Sequence, residues 1–73
     1  MADDILTGKW NQMKGDVKKW WGDLTDDDIT YIDGDRQKLY GKLQERYGWD
    51  KMHAEYEVNR RLTEYDPTYT PVR

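Results

Sequence analysis

The chain has 73 residues, so it forms one domain at most, and a domain of this size buries only about 60% of the surface its unfolded chain exposes. Hydrophobic residues make up 36% and charged residues 37%, a balance close to that of chains that fail to collapse, but four Trp and six Tyr supply large rings that fill a small core. A net charge of −3 disfavours broad nucleic-acid binding and leaves only a local basic face for it; the absence of Cys excludes a disulfide framework and a thiolate metal site.

No apolar run approaches the roughly 18 residues of a membrane span, and the opening MADDILTGKW is acidic where a secretory signal is basic and then apolar. The expectation is a cytoplasmic protein with no transmembrane segment. Leu6, Trp10, Met13, Val17, Trp20, Trp21 and Leu24 recur at three- and four-residue steps, the period of an amphipathic helix, which predicts a first helix over about 4–21. Asp3 and Asp4 suit its positive end and Lys18 and Lys19 its negative end, with Gly22 as a left-handed stop.

Thr25 and Asp28 form a near capping box in which Asp takes the place of Glu, so a second helix starts there, with Asp26, Asp27 and Asp28 in its first turn. Asp33-Gly34 is a turn signal that splits the following stretch into a short helix and a longer one, which Gly48 closes. Asp50 caps a last helix whose inner stripe is Ala54, Val58 and Leu62. From Asp66 onward two prolines and no period describe a loosely docked tail. The reading is an all-α bundle of three or four short helices over 1–65 followed by a tail over 66–73. Its expected core is Leu6, Trp10, Met13, Val17, Trp20, Leu24, Ile29, Ile32, Leu39, Leu43, Tyr47, Ala54, Val58 and Leu62.

Glycines at 8, 15 and 22 and again at 34, 41 and 48 fall seven apart, with the two sets offset by 26 residues. The offset also matches Met13 with Leu39 and Val17 with Leu43, as two crossed helical hairpins would. Gly15 falls opposite the apolar stripe, where it lowers helix propensity by about 1 kcal/mol relative to Ala and gains nothing in packing; Gly41 carries the same penalty.

Chemistry has little material in this chain. There is no Ser and no Cys, and His53 is the single His, so a hydroxyl or thiol nucleophile with an imidazole base reduces to Thr with His53, and a surface position is the ordinary outcome for a His in a first turn. The acidic run Asp23, Asp26, Asp27, Asp28, Asp33 and Asp35 suggests calcium. An EF-hand register with Gly34 at its sixth position, however, places Ile29 and Tyr31 where carboxylates belong and Tyr40 where Glu is needed. A solvated acidic helix start explains the run better, and no metal or cofactor is expected. No catalytic residue is expected either, and the chain reads as non-enzymatic.

The candidate interaction surface consists of Lys14, Lys18, Lys19, Arg36, Lys42 and Arg46. Interleaved Lys and Trp in the first helix fit a stacking and phosphate surface for single-stranded nucleic acid, or a helix lying on an anionic membrane. The periodicity favours the plainer assignment, with the rings in the core and the lysines in solvent. Arg36, Lys38, Lys42 and Arg46 give the third helix a basic side expected to face Glu55 and Glu57, in exposed pairs worth about 0–1 kcal/mol each.

Lys14-Gly15, Gly22 with Leu24-Thr25, the acidic Asp26-Asp27-Asp28, then Gly34, Arg36, Leu39, Gly41-Lys42, Gln44 and the Tyr47-Gly48 stop, from about Gly8 to Val58, together resemble the CsbD-like family of small bacterial general-stress proteins. The resemblance implies a compact bundle of short helices, cytoplasmic location, expression raised under osmotic, stationary-phase or general stress, and no enzymatic activity. It carries over no catalytic residue. The Trp-rich first helix and the Pro-containing tail depart from the pattern, leaving room for a protein partner of this lineage. The chain itself is expected to be a monomer, with nucleic-acid binding through the basic faces of the first and third helices as the alternative function.

Overall fold

Five helices follow one another in the computed structural model, which describes residues 5–69: α1 (Ile5–Gly8), α2 (Trp10–Trp20), α3 (Asp26–Ile32), α4 (Arg36–Tyr47) and α5 (Lys51–Tyr65). Each main helix packs on its neighbour in the chain, most extensively α4 on α5, so the fold is an all-α bundle. The Cα radius of gyration is 11.2 Å, matching the value of about 11 Å that size scaling gives for a folded chain of this length. Asp3 and Asp4 and the tail residues 70–73 lie outside the described residues.

The predicted first helix is broken at Lys9, which accounts for the extra element. Lys9 has φ −119° and ψ 23°, outside the helical region, while its carbonyl still accepts from the Gln12 and Met13 N–H groups and its own N–H donates to Ile5. The break lets Leu6 join the face carried by Trp10, Met13 and Val17, all buried.

At the other end of α2 the expected core position Trp20 is only half-buried, and Trp21 takes its place at 3% exposed. Trp21 sits four residues after Val17 and stands at the cap with φ −121° and ψ 82°, a bend that carries its ring inward while its N–H still donates to Val17 O. Trp20 packs edge-on against Trp21 (ring centroids 5.6 Å apart) and Tyr65 (6.1 Å). Gly22 is not the left-handed stop expected of it, because the Leu24 N–H reaching Trp21 O closes the turn without a positive φ.

The capping box forms as read: Thr25 Oγ1 accepts from Asp28 N–H, and an Asp28 carboxylate oxygen accepts from Thr25 N–H. The split at Asp33-Gly34 also forms, through two successive left-handed residues with φ 45° and 81°. The Asp35 N–H then donates to Ile32 O, the Asp35 side chain caps α4, Gly48 closes α4 at φ 73°, and the Asp50 side chain caps α5 by accepting from His53 N–H. Gly34 is buried beneath α1 and α2: its carbonyl accepts from Thr7 Oγ1 at 2.8 Å, and a Cβ built on it meets Trp10 Cβ at 3.2 Å.

Tyr47, expected in the core, is half-buried. Its ring stacks on Trp49 at 4.5 Å, and its hydroxyl accepts from the Asp23 N–H. Tyr40 is buried at 5% exposed, a core position that the single stripe through Leu39 and Leu43 did not include.

Two glycines give opposite expectations. A Cβ at Gly15 meets nothing within 4 Å, so Gly15→Ala raises stability by about 1 kcal/mol, seen as a rise in Tm of roughly 4–8 °C in a thermal melt. Gly34→Ala forces a side chain into a left-handed conformation against Trp10, and in the same melt lowers stability by about 1–2 kcal/mol.

Candidate interaction surface

The six basic residues singled out from the sequence fall into three separate environments. Lys14, Lys18 and Lys19 stand exposed on the outer side of α2. Lys18 Nζ reaches Asp26 Oδ1 at 2.8 Å, but with the two side chains 46% and 87% exposed this pair adds little stability. Lys14 and Lys19 have no ion-pair partner among the described residues.

Arg36 stitches the opposite end of the molecule. Its Nη1 donates to Tyr40 Oη (3.2 Å) and Asn59 Oδ1 (3.3 Å), its Nη2 donates to Tyr69 Oη (2.9 Å), and Tyr69 Oη donates on to Asn59. One guanidinium thereby joins α4, α5 and the segment after α5, and it supplies the partner that the buried Tyr40 hydroxyl needs. Burial pushes the Tyr40 phenol up from its ordinary value, with Arg36 opposing the shift.

Lys42 and Arg46 meet on Asp28. Arg46 Nε donates to Asp28 Oδ2 at 2.8 Å and Nη2 to Oδ1 at 3.0 Å, a bidentate pair, while Lys42 Nζ lies 3.4 Å from Oδ1. The basic side of α4 therefore turns to α3 at these two residues, whereas the sequence reading directed it toward α5. Asp28 is also a correction to the solvated acidic run, since it is 2% exposed while Asp26 and Asp27 remain in solvent. The Arg46 guanidinium holds the Asp28 carboxyl far below the usual carboxylate range, against the desolvation that would raise it; the Thr25 N–H and Lys42 add to the lowering. The signal for this pair was present in the chain, as an N3 aspartate on one helix and two cations four residues apart on the next.

His53 lies on the surface, its ring 4.6 Å from that of Trp49 and its Nε2 3.8 Å from Glu57. Among the described residues no three His, Asp or Glu side chains are grouped to hold a metal ion, and no helix is long and apolar enough to cross a membrane.

Comparison with known proteins matches the CsbD-like family over residues 4–55, a span that includes Thr25, Asp28, Lys42 and Arg46. The chain belongs to the CsbD-like family. It is 57% identical over 58 residues to UPF0337 protein PA4738 of Pseudomonas aeruginosa, covering 80% of this chain and 89% of that relative. To UPF0337 protein YjbJ of Escherichia coli K12 it is 57% identical over 58 residues, covering 80% and 84%. UPF0337 protein XAC4007 of Xanthomonas axonopodis pv. citri is similar at 55% over 58 residues, again 80% and 84%. The span matched to the CsbD-like family contains the capping box, the Asp33-Gly34 turn and the Gly48 stop.

The lowered Asp28 carboxyl is expected to make this CsbD-like fold less stable in acid. Because its folded pKa lies below its unfolded value of about 3.9, the stability it contributes is present above that value and drains away as pH falls below it. Urea unfolding across a pH series is expected to give a level stability between about pH 5 and 8 and a decline below about pH 4, and Asp28→Ala to remove about 3 kcal/mol at neutral pH and flatten the decline.

Proposed function

We propose that this CsbD-like chain is a non-enzymatic, cytoplasmic stress-response protein that acts as a monomer by binding a protein partner, with the lysine face of α2 as the contact surface. The observation that carries the choice of surface is the division of cations just described. Arg36, Lys42 and Arg46 are tied into the fold, whereas Lys14 and Lys19 are exposed and have no ion-pair partner among the described residues. A surface that the fold does not use can be given to a partner without loss of stability. The chemistry that fits it is an acidic patch, since three lysines on one short helix attract carboxylates at long range and orient an approaching surface. Membership of the CsbD-like family supports the stress association, and the absence of Ser and Cys from the chain supports a binding role over a nucleophilic one.

The test pairs abundance with capture. Under osmotic shock and in stationary phase the protein is expected to accumulate. Intact bait carrying Lys14→Glu, Lys18→Glu and Lys19→Glu is expected to lose, by at least about tenfold, the partner that the natural chain captures from stressed cells. Equal capture by the two baits contradicts the α2 surface. Saturable binding to duplex or single-stranded DNA with a steep salt slope would instead move the function to nucleic acid.

A further inference from the structure

A second feature of the surface lies across α3 and α4, away from the α2 lysines. Tyr31 is 54% exposed, and two ammonium groups rest against its ring, Lys38 Nζ at 5.0 Å and Lys42 Nζ at 4.9 Å from the ring centroid. One ring thus gathers two like charges. Beside them runs a shallow groove of about 320 Å³ lined by Tyr31, Gln37, Lys38, Gly41, Lys42 and Glu45, the liquid share of roughly ten water molecules.

We propose that this groove binds a phosphate-type oxyanion, held between the Lys38 and Lys42 ammonium groups over a floor formed by Gly41. Three observations support it. The Lys38 ammonium has no carboxylate partner among the described residues and rests against the Tyr31 ring. Lys42 stands 3.4 Å from both Asp28 and Glu45, while Arg46 holds Asp28 at 2.8 and 3.0 Å, so Lys42 is the more loosely held of the two cations on Asp28. Gly41 interrupts the middle of a helix at a point where a Cβ meets nothing within 4 Å, so neither packing nor a left-handed φ explains the glycine. Gly41 is one of the residues that line the groove. Lysine also suits the ligand, since an ammonium is a compact point charge with three donors that can meet a tetrahedral oxyanion from any side. Glu45, 59% exposed at the rim, competes with the anion for Lys42. The site is independent of the protein-partner reading, which uses α2.

Amide shifts of the intact protein, followed by nuclear magnetic resonance during titration with sodium phosphate at ionic strength fixed with sodium chloride, test the site. Saturable shifts are expected at Tyr31, Lys38, Gly41 and Lys42. Lys38→Gln should weaken binding at least about fivefold, Gly41→Gln should abolish it by filling the floor, and Glu45→Gln should tighten it, all three keeping cooperative melts. Phenyl phosphate binding more tightly than inorganic phosphate would mark an ester as the ligand, and equal binding the free ion; both support the site. Shifts that chloride alone reproduces, or a Lys38→Gln variant that binds as the natural chain does, would overturn it.

Discussion

Asp28 is a charge that the fold has to keep from water, and it can do so only because three groups converge on it. The Thr25 N–H and the Arg46 guanidinium take up its two oxygens, with Lys42 close by. Leaving such a carboxylate buried without partners destabilises a small domain by several kcal/mol, a large fraction of what a chain of this size can hold. The requirement fixes geometry. The start of α3 must lie within a hydrogen bond of the last turn of α4, and the Asp33-Gly34 turn between them must reverse the chain tightly enough to allow it. With α3 and α4 set, Leu39 and Leu43 face Ala54, Val58 and Leu62 of α5, and Gly34 is pressed under Trp10, which brings α2 onto the same core.

Much of this was legible in the chain because the deciding signals are local. A side-chain oxygen three residues ahead of a free N–H makes a cap at Thr25 and Asp50 whatever the remainder of the molecule does, and Asp33-Gly34 and Gly48 supply backbone conformations that other pairs reach only with strain. What escaped depends on distance in the sequence. Whether Trp20 or Trp21 enters the core is settled by how the chain leaves α2, which the period of the helix does not encode. Tyr40 is buried because Arg36 meets its hydroxyl, and the orientation of Lys42 and Arg46 depends on a carboxylate eighteen residues before Arg46. A basic helix side reads the same in sequence whether it faces solvent, α5 or α3.

The 26-residue offset is visible in the elements themselves. It carries Trp10 and Trp20, the ends of α2, onto Arg36 and Arg46 of α4, and Gly15 onto Gly41. The two helices share the buried pairs Met13/Leu39 and Val17/Leu43 and differ elsewhere: Lys14 and Lys19 of α2 have no ion-pair partner among the described residues, while α4 presents cations most of which the fold engages. Counting positive residues would rank α4 as the stronger surface. Their partners reverse that order: of the four cations of α4, the Lys38 ammonium alone has no carboxylate or hydrogen-bond partner among the described residues, resting against the Tyr31 ring.

The dependence of the fold on one buried ion pair is tested most directly by a double-mutant cycle on Asp28 and Arg46, with unfolding free energies measured in urea at neutral pH and low salt. Asp28→Ala, Arg46→Ala and the double variant are expected to show a coupling of about 2 kcal/mol or more, since either single change leaves most of the damage done. Additive effects, with a coupling under about 0.5 kcal/mol, would mean that the α3–α4 junction is held by its apolar contacts and that the charge is incidental.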